Sequence, residues 1–165
     1  MDIAARFIIH QTRHWTLNHR VNSALPGYLM LGARQPTTSL ASLPVQAQVE
    51  LGSLMALTQQ VLEDQLQPTR LYISRYGHDA GHSIHFHFIP IYCWVEALFW
   101  EDERYRLLES FDGGQRPRLQ TDGAELTLFV WREFCERPEP PAIQGPSVDE
   151  SIASLRRAFA SLADV

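Results

Sequence analysis

Four of the seven histidines in this chain, His78, His82, His85 and His87, fall within ten residues. In an extended stretch from Ser83 to Ile89 side chains alternate faces, so Ser83, His85 and His87 share one side while Ile84, Phe86 and Phe88 take the other. The apolar set can then bury in a core while two imidazoles, roughly 6–7 Å apart at their Cα atoms, face a site. Two such rings suit one of three uses: binding a metal, gathering an anionic phosphate, or dividing the work of nucleophile and proton donor. A metal would draw a third ligand from His78 or His82, with Asp79 the only local carboxylate. The bland alternative is two incidental histidines on a solvated face.

Positioning such a pair requires a folded frame, and the composition supplies one. The chain has 165 residues, 45% of them hydrophobic and 20% charged, enough for one domain with a real core and far from the signature of disorder. A formal net charge of −5 leaves no broad basic surface for long nucleic acid. All fourteen basic residues are Arg, which excludes a P-loop lysine, a Schiff-base lysine and a lysine general base. The bias itself can reflect genome composition; the exclusions hold either way. Cys93 and Cys135 form no CxxC and no disulfide framework. The N-terminus lacks the apolar run of a secretory signal, and no stretch approaches the ~20 residues of a membrane helix. A cytoplasmic protein without membrane contact is the expectation.

The elements follow from periodicity. Phe7 to Leu31 reads as hairpin material, with Trp15, Leu17 and Val21 in one extended stretch, Tyr28–Leu31 in another, and a Pro26-Gly27 turn between. Val45 to Leu66 carries Leu51, Leu54, Met55, Val61, Leu62 and Leu66 on one helical face, with Pro68 ending the run. Arg70–Tyr76 and Ser83–Tyr92 read as strands around the two-glycine loop 77–81, with Pro90 marking a sheet edge or the end of pairing. Glu101–Ser110 reads as helical and 112–117 as a loop. Asp122 opens a capping-box-like start to a segment of helical or strand character. Prolines at 138, 140, 141 and 146 form a linker, after which Ser147 to Glu150 makes a capping box for a terminal amphipathic helix.

Gly81-His82-Ser83-Ile84-His85-Phe86-His87-Phe88-Ile89-Pro90 resembles the signature of the histidine triad (HIT) superfamily, in which a Gly-rich loop runs into a strand carrying alternating histidines. Leu17 to Leu31 is similar to that family's first hairpin, and the long helix lies between the two stretches as it does there, so the resemblance covers about residues 7–95. It departs where Ser83 stands at the place of the first histidine and His82 at that of the usual Gln.

The resemblance implies an α+β fold: an antiparallel sheet of about five strands with a long helix packed on it (residues 1–110), plus a helical extension (111–165). It implies a nucleotide hydrolase or transferase acting on nucleoside phosphoramidates, dinucleoside polyphosphates or related substrates, and a homodimer. His85 would attack the α-phosphorus, its other ring nitrogen held by a backbone carbonyl. His87, with Ser83 and His82, would hold the phosphoryl oxygens, and no metal or cofactor enters the scheme. For the nucleoside, the resemblance points to Trp15 and Leu17 as apolar walls and Asn18 or Asn22 as the ribose contact. The family's ribose-binding residue aligns nearest Arg20. Arg75 and His78 could reach the phosphates or stay solvated; His10, His14 and His19 carry no assignment. The alternatives are a nucleotide-binding module without turnover and a metal-dependent hydrolase built on His85, His87 and His82 or His78.

Overall fold

The computed structural model describes residues 3–76, 83–106, 121 and 123–163. His78, Asp79 and His82, the expected loops at 77–81 and 112–117, Asp122 and the 107–110 end of the expected helix lie outside them. The strands are β1 (Ile8–Gln11), β2 (Trp15–His19), β3 (Leu29–Ala33), β4 (Arg70–Ser74) and β5 (His85–Ile91). They form one antiparallel sheet in the order β1-β2-β3-β5-β4. The hairpin read over 7–31 is thus three strands, because Thr12 closes a short turn by accepting from the backbone N–H groups of His14 and Trp15.

The helices are α1 (Val45–Leu66), α2 (Cys93–Glu101), α3 (Ala124–Trp131) and α4 (Val148–Ala163). α1 ends as its sequence predicts, on Gln67 in the left-handed region (φ 48°) just before Pro68. The capping box before α4 forms in both directions: Ser147 Oγ accepts from the Glu150 N–H while the Glu150 carboxylate accepts from the Ser147 N–H. One expectation changes: Glu103–Tyr105, inside the stretch read as helical, is a single 3-10 turn, and the stretch after Tyr92, for which the sequence offered no element, is α2. Pro90 ends pairing on one side only: β3 runs out opposite Phe88, while β4 continues to pair through Ile91.

The sheet separates two cores. On one face Trp15, Leu17, Leu29, Leu31 and Phe88 pack with Leu54, Val61 and Leu62 of α1 and with Ile152, Leu155 and Phe159 of α4. Each of these large side chains contributes about 1.5–3 kcal/mol by leaving water. On the other face Tyr28, Ile89 and Ile91 pack with Val95 and Phe99 of α2 and Leu126, Phe129, Val130 and Phe134 of α3 and its extension. The segments read as an extension beyond residue 110 therefore lie one on each face.

α3 widens at its end into a π turn over Arg132–Glu136, closed by the Arg137 N–H on the Arg132 carbonyl at 3.0 Å. The carbonyls of Phe134 and Cys135 are docked by the β2–β3 connection, through the Ala24 N–H (2.8 Å) and the Asn22 amide (3.4 Å). That contact pins the loop carrying Arg20 against the helix carrying Trp131.

Candidate functional site

In an antiparallel ladder directly paired residues share a face. Gly32 pairs with His85 and Met30 with His87; across β2, Thr16 and Asn18 continue the same rows, and Ser74 of β4 lies opposite His87. Both imidazoles therefore stand on the α3 side of the sheet, with ring centroids 5.0 Å apart and the rings nearly edge to face. Phe86 and Phe88 point the other way, as the alternation in the sequence requires.

Hydrogen bonds fix which nitrogen of each ring holds its proton. His85 Nδ1 lies 2.9 Å from the Ser83 carbonyl oxygen, which only accepts, so Nδ1 carries the hydrogen and Nε2 presents a lone pair. For His87 the assignment runs through two residues. Arg20 Nη1 is 2.8 Å from the Tyr28 hydroxyl, and a guanidinium only donates. Among the described residues His87 Nδ1, at 3.0 Å, is the one acceptor beside the phenolic proton of Tyr28, and the contact is satisfied with Tyr28 donating. His87 Nδ1 accepts, and the ring of neutral His87 carries its hydrogen on Nε2.

Electrostatics agree with that geometry. Burial pushes His87 down from 6.5 to about 3, helped by the neighbouring His85 and by the Arg20 guanidinium. Burial likewise lifts the Tyr28 phenol to about 12, against the opposing pull of Arg20, so it stays protonated and keeps donating.

Arg20 completes the wall. Its guanidinium lies over the Tyr28 ring at 5.1 Å and the Trp131 ring at 5.0 Å, and its Nε donates to Asn22 Oδ1 at 2.9 Å. No ion pair to Arg20 is found among the described residues. Tyr76 packs edge-on to His87 at 5.3 Å and donates to Thr127 Oγ1 at 3.2 Å. Ser74 Oγ is buried without a hydrogen-bond partner among the described residues.

The other residues singled out in the sequence fall as follows. Trp15 and Leu17 are corrected: they lie on the opposite face, 1% exposed, with Trp15 Nε1 donating to the Ala47 carbonyl beneath α1. They wall the core, since Leu17 pairs with Leu31 and Leu31 with Phe86. Asn18 is on the histidine face, its amide bonded to the His19 carbonyl at 2.8 Å. Asn22 is a turn residue that orients Arg20. The Ser83 hydroxyl donates to the Gln35 carbonyl at 2.7 Å and accepts from the Thr37 N–H, so it clamps the 35–37 loop. Arg75 donates to the Thr38 carbonyl. His10 stacks on Phe159, and His19 is buried between the Arg20 and Leu25 carbonyls.

Tyr28, Arg20, Tyr76 and Trp131 were missed as site residues. Only Arg20 carried a signal, as the residue nearest the family's ribose-binding position. No three metal-ligating side chains come together among the described residues. A separate cavity of about 290 Å³, lined by Pro26, Leu66, Tyr92, Cys93 and Trp94 among others, contains none of the histidines. No helix of the described residues is long and apolar enough to cross a membrane.

The same arrangement of sheet and helices recurs in solved histidine triad structures. A zinc-bound histidine triad family protein from Mycobacterium smegmatis matches 95% of this chain and 86% of its own at 13% identity, with a TM-score of 0.53. A Hit-like protein involved in cell-cycle regulation from Bartonella henselae matches 92% and 85% at 10% identity, with a TM-score of 0.51. A uridylyltransferase matches 94% of this chain at 13% identity and a TM-score of 0.56, although the match spans only 42% of that longer protein. No family model matches the sequence, and no curated protein matches it. At these identities the likeness is one of fold: the chain has the α+β fold of the histidine triad proteins.

Proposed function

We propose that this chain is a nucleotide hydrolase or transferase of the histidine triad type, working through a nucleotidyl-histidine formed on His85. The observation that carries the reading is the pair of opposed ring assignments. His85 offers an Nε2 lone pair, and the adjacent His87 offers an Nε2–H. A neutral imidazole held by a carbonyl on its far nitrogen is a competent nucleophile toward phosphorus. A fixed N–H beside it can bond a phosphoryl oxygen while charge builds there. The Arg20 guanidinium adds a cation that has no carboxylate partner among the described residues. Asn18 and Met30 stand in the same cross-strand row as His87, and the reading assigns them to the nucleoside. The reading places the protein in solution as a homodimer, which sedimentation equilibrium checks.

A second reading, a nucleotide-binding module without turnover, draws on Ser83, which stands where the family's first histidine would be and whose hydroxyl is committed to the 35–37 loop. One experiment separates the two. The native chain and His85→Ala are mixed briefly with diadenosine tetraphosphate, quenched in acid and weighed intact. A nucleotidyl adduct in the native chain and none in the variant supports the enzyme. Binding without adduct or released monophosphate supports the module.

A further inference from the structure

The cavity of about 290 Å³ that holds none of the histidines is built by four separate pieces of chain, and each is fixed in place by contacts of its own. Pro26, in the β2–β3 connection, accepts at its carbonyl from the Tyr92 hydroxyl at 2.9 Å. Gln67 ends α1 in the left-handed region, its N–H donating to the Glu63 carbonyl at 3.1 Å. Tyr92 and Trp94 flank the start of α2, and Trp94 stands edge-on to Phe134 at 5.7 Å. Gln144 to Pro146, the end of the proline-rich linker, form the fourth wall just ahead of the capping box that starts α4. Walls ordered beforehand leave little to immobilise when a guest enters.

The lining sorts into a buried apolar floor and a polar rim. Pro26 and Trp94 are buried, and the Tyr92 and Trp94 rings are parallel to within 2° with centroids 6.0 Å apart, so both offer faces of one orientation to a planar guest. At the rim the exposed Gln67 and Gln144 amides and the Thr69 hydroxyl have no hydrogen-bond partner among the described residues. Each amide carries a donor and an acceptor side by side, the complement of another amide's edge. Every described side chain that lines the cavity is uncharged, so an ionic guest would give up its water for no counter-charge. Its volume lies at the small end of ligand cavities, with room for one or two fused rings and none for a phosphorylated sugar beside them. We propose that this cavity binds an uncharged planar amide, a one- or two-ring heteroaromatic that stacks on Tyr92 and Trp94 and pairs its amide edge with Gln67 and Gln144. The site is independent of the chemistry at His85 and His87, which lie outside it.

The test titrates the full chain, labelled with nitrogen-15, with nicotinamide and with carbostyril, a two-ring cyclic amide, and uses nicotinate as the charged counterpart. With at least one neutral probe the side-chain amide signals of Gln67 and Gln144 and the Trp94 indole N–H shift saturably, with a midpoint of about 1 mM or below. The Trp15 indole N–H, which donates to the Ala47 carbonyl inside the core, stays where it is. Nicotinate binds about tenfold more weakly than nicotinamide or worse, since its carboxylate meets no cation. Gln67→Gly, which suits the left-handed turn, combined with Gln144→Leu at the exposed rim, weakens the neutral probe about tenfold or more while the rest of the spectrum is unchanged. Trp94→Leu removes the stacking face and abolishes saturation. The proposal is overturned if neither neutral probe saturates by about 10 mM, if nicotinate binds as tightly as nicotinamide, or if the double rim variant binds like the native chain. None of these outcomes depends on turnover at His85, so a failure here leaves the proposed function standing, and the reverse holds as well.

Discussion

The neutrality of His87 makes the fold acid-sensitive at one identifiable place. Burial, with His85 and Arg20 adding to it, holds the ring at about 3 in the folded chain against an ordinary 6.5. Below about pH 6.5 the unfolded chain takes up a proton on this ring that the folded chain refuses until about pH 3. The unfolded state then binds more protons, so this contribution is complete above pH 6.5 and is lost as the pH falls toward 3. Each unit of that window is worth about 1.4 kcal/mol. At pH 5 the loss relative to pH 7.5 comes to about 2 kcal/mol, out of a total stability of about 5–15 kcal/mol.

His87 is 4% exposed, so solvent does little to screen this. Urea unfolding at pH 7.5 and pH 5 reads the effect directly. With a slope of about 1–3 kcal/mol per molar urea, the native midpoint drops by about 1 M from this ring. His87→Asn keeps an acceptor near Nδ1 for Tyr28 but cannot titrate, so its midpoint moves less by that amount. His19, also held below its ordinary value by burial, contributes equally to both chains and cancels. If native and variant lose the same stability on acidification, His87 is not a neutral buried base and the proton assignment in the site is wrong.

Three further outcomes follow from the structure. Gly27→Ala loses about 2–4 kcal/mol in the same unfolding assay, because Gly27 sits at φ 75° and an added Cβ would lie 2.5 Å from Leu66 Cδ1. Ser147→Ala removes the capping hydroxyl of α4 and costs about 1 kcal/mol, read as a lower thermal midpoint, with adduct formation on His85 unchanged. Arg20→Gln weakens binding of adenosine monophosphate about tenfold or more by calorimetry and flattens its salt dependence, since a charge-assisted contact is lost.

How far the sequence carries this chemistry depends on the range of the interactions involved. The face alternation of Ser83 to Phe88, the span of α1 and the box at Ser147–Glu150 are local, and each is legible because a period of two or 3.6 residues is written in side-chain types. Cys93–Glu101 was not legible, since CWVEALFWE is apolar nearly all round and such a run shows no amphipathic period. Trp15 and Leu17 were misplaced for a different reason. Which face a strand's odd residues take is set by pairing with β3 and, through it, with β5, some seventy residues on, and a one-residue slip would have reversed the answer. The Arg20–Tyr28–His87 chain is further out of reach, since it joins a loop, a strand start and a distant strand and is backed by Trp131 from α3. Residue types and spacing therefore mark which atoms can react, His85 and His87. Which of those atoms carries a proton is decided by partners that only the tertiary register brings up.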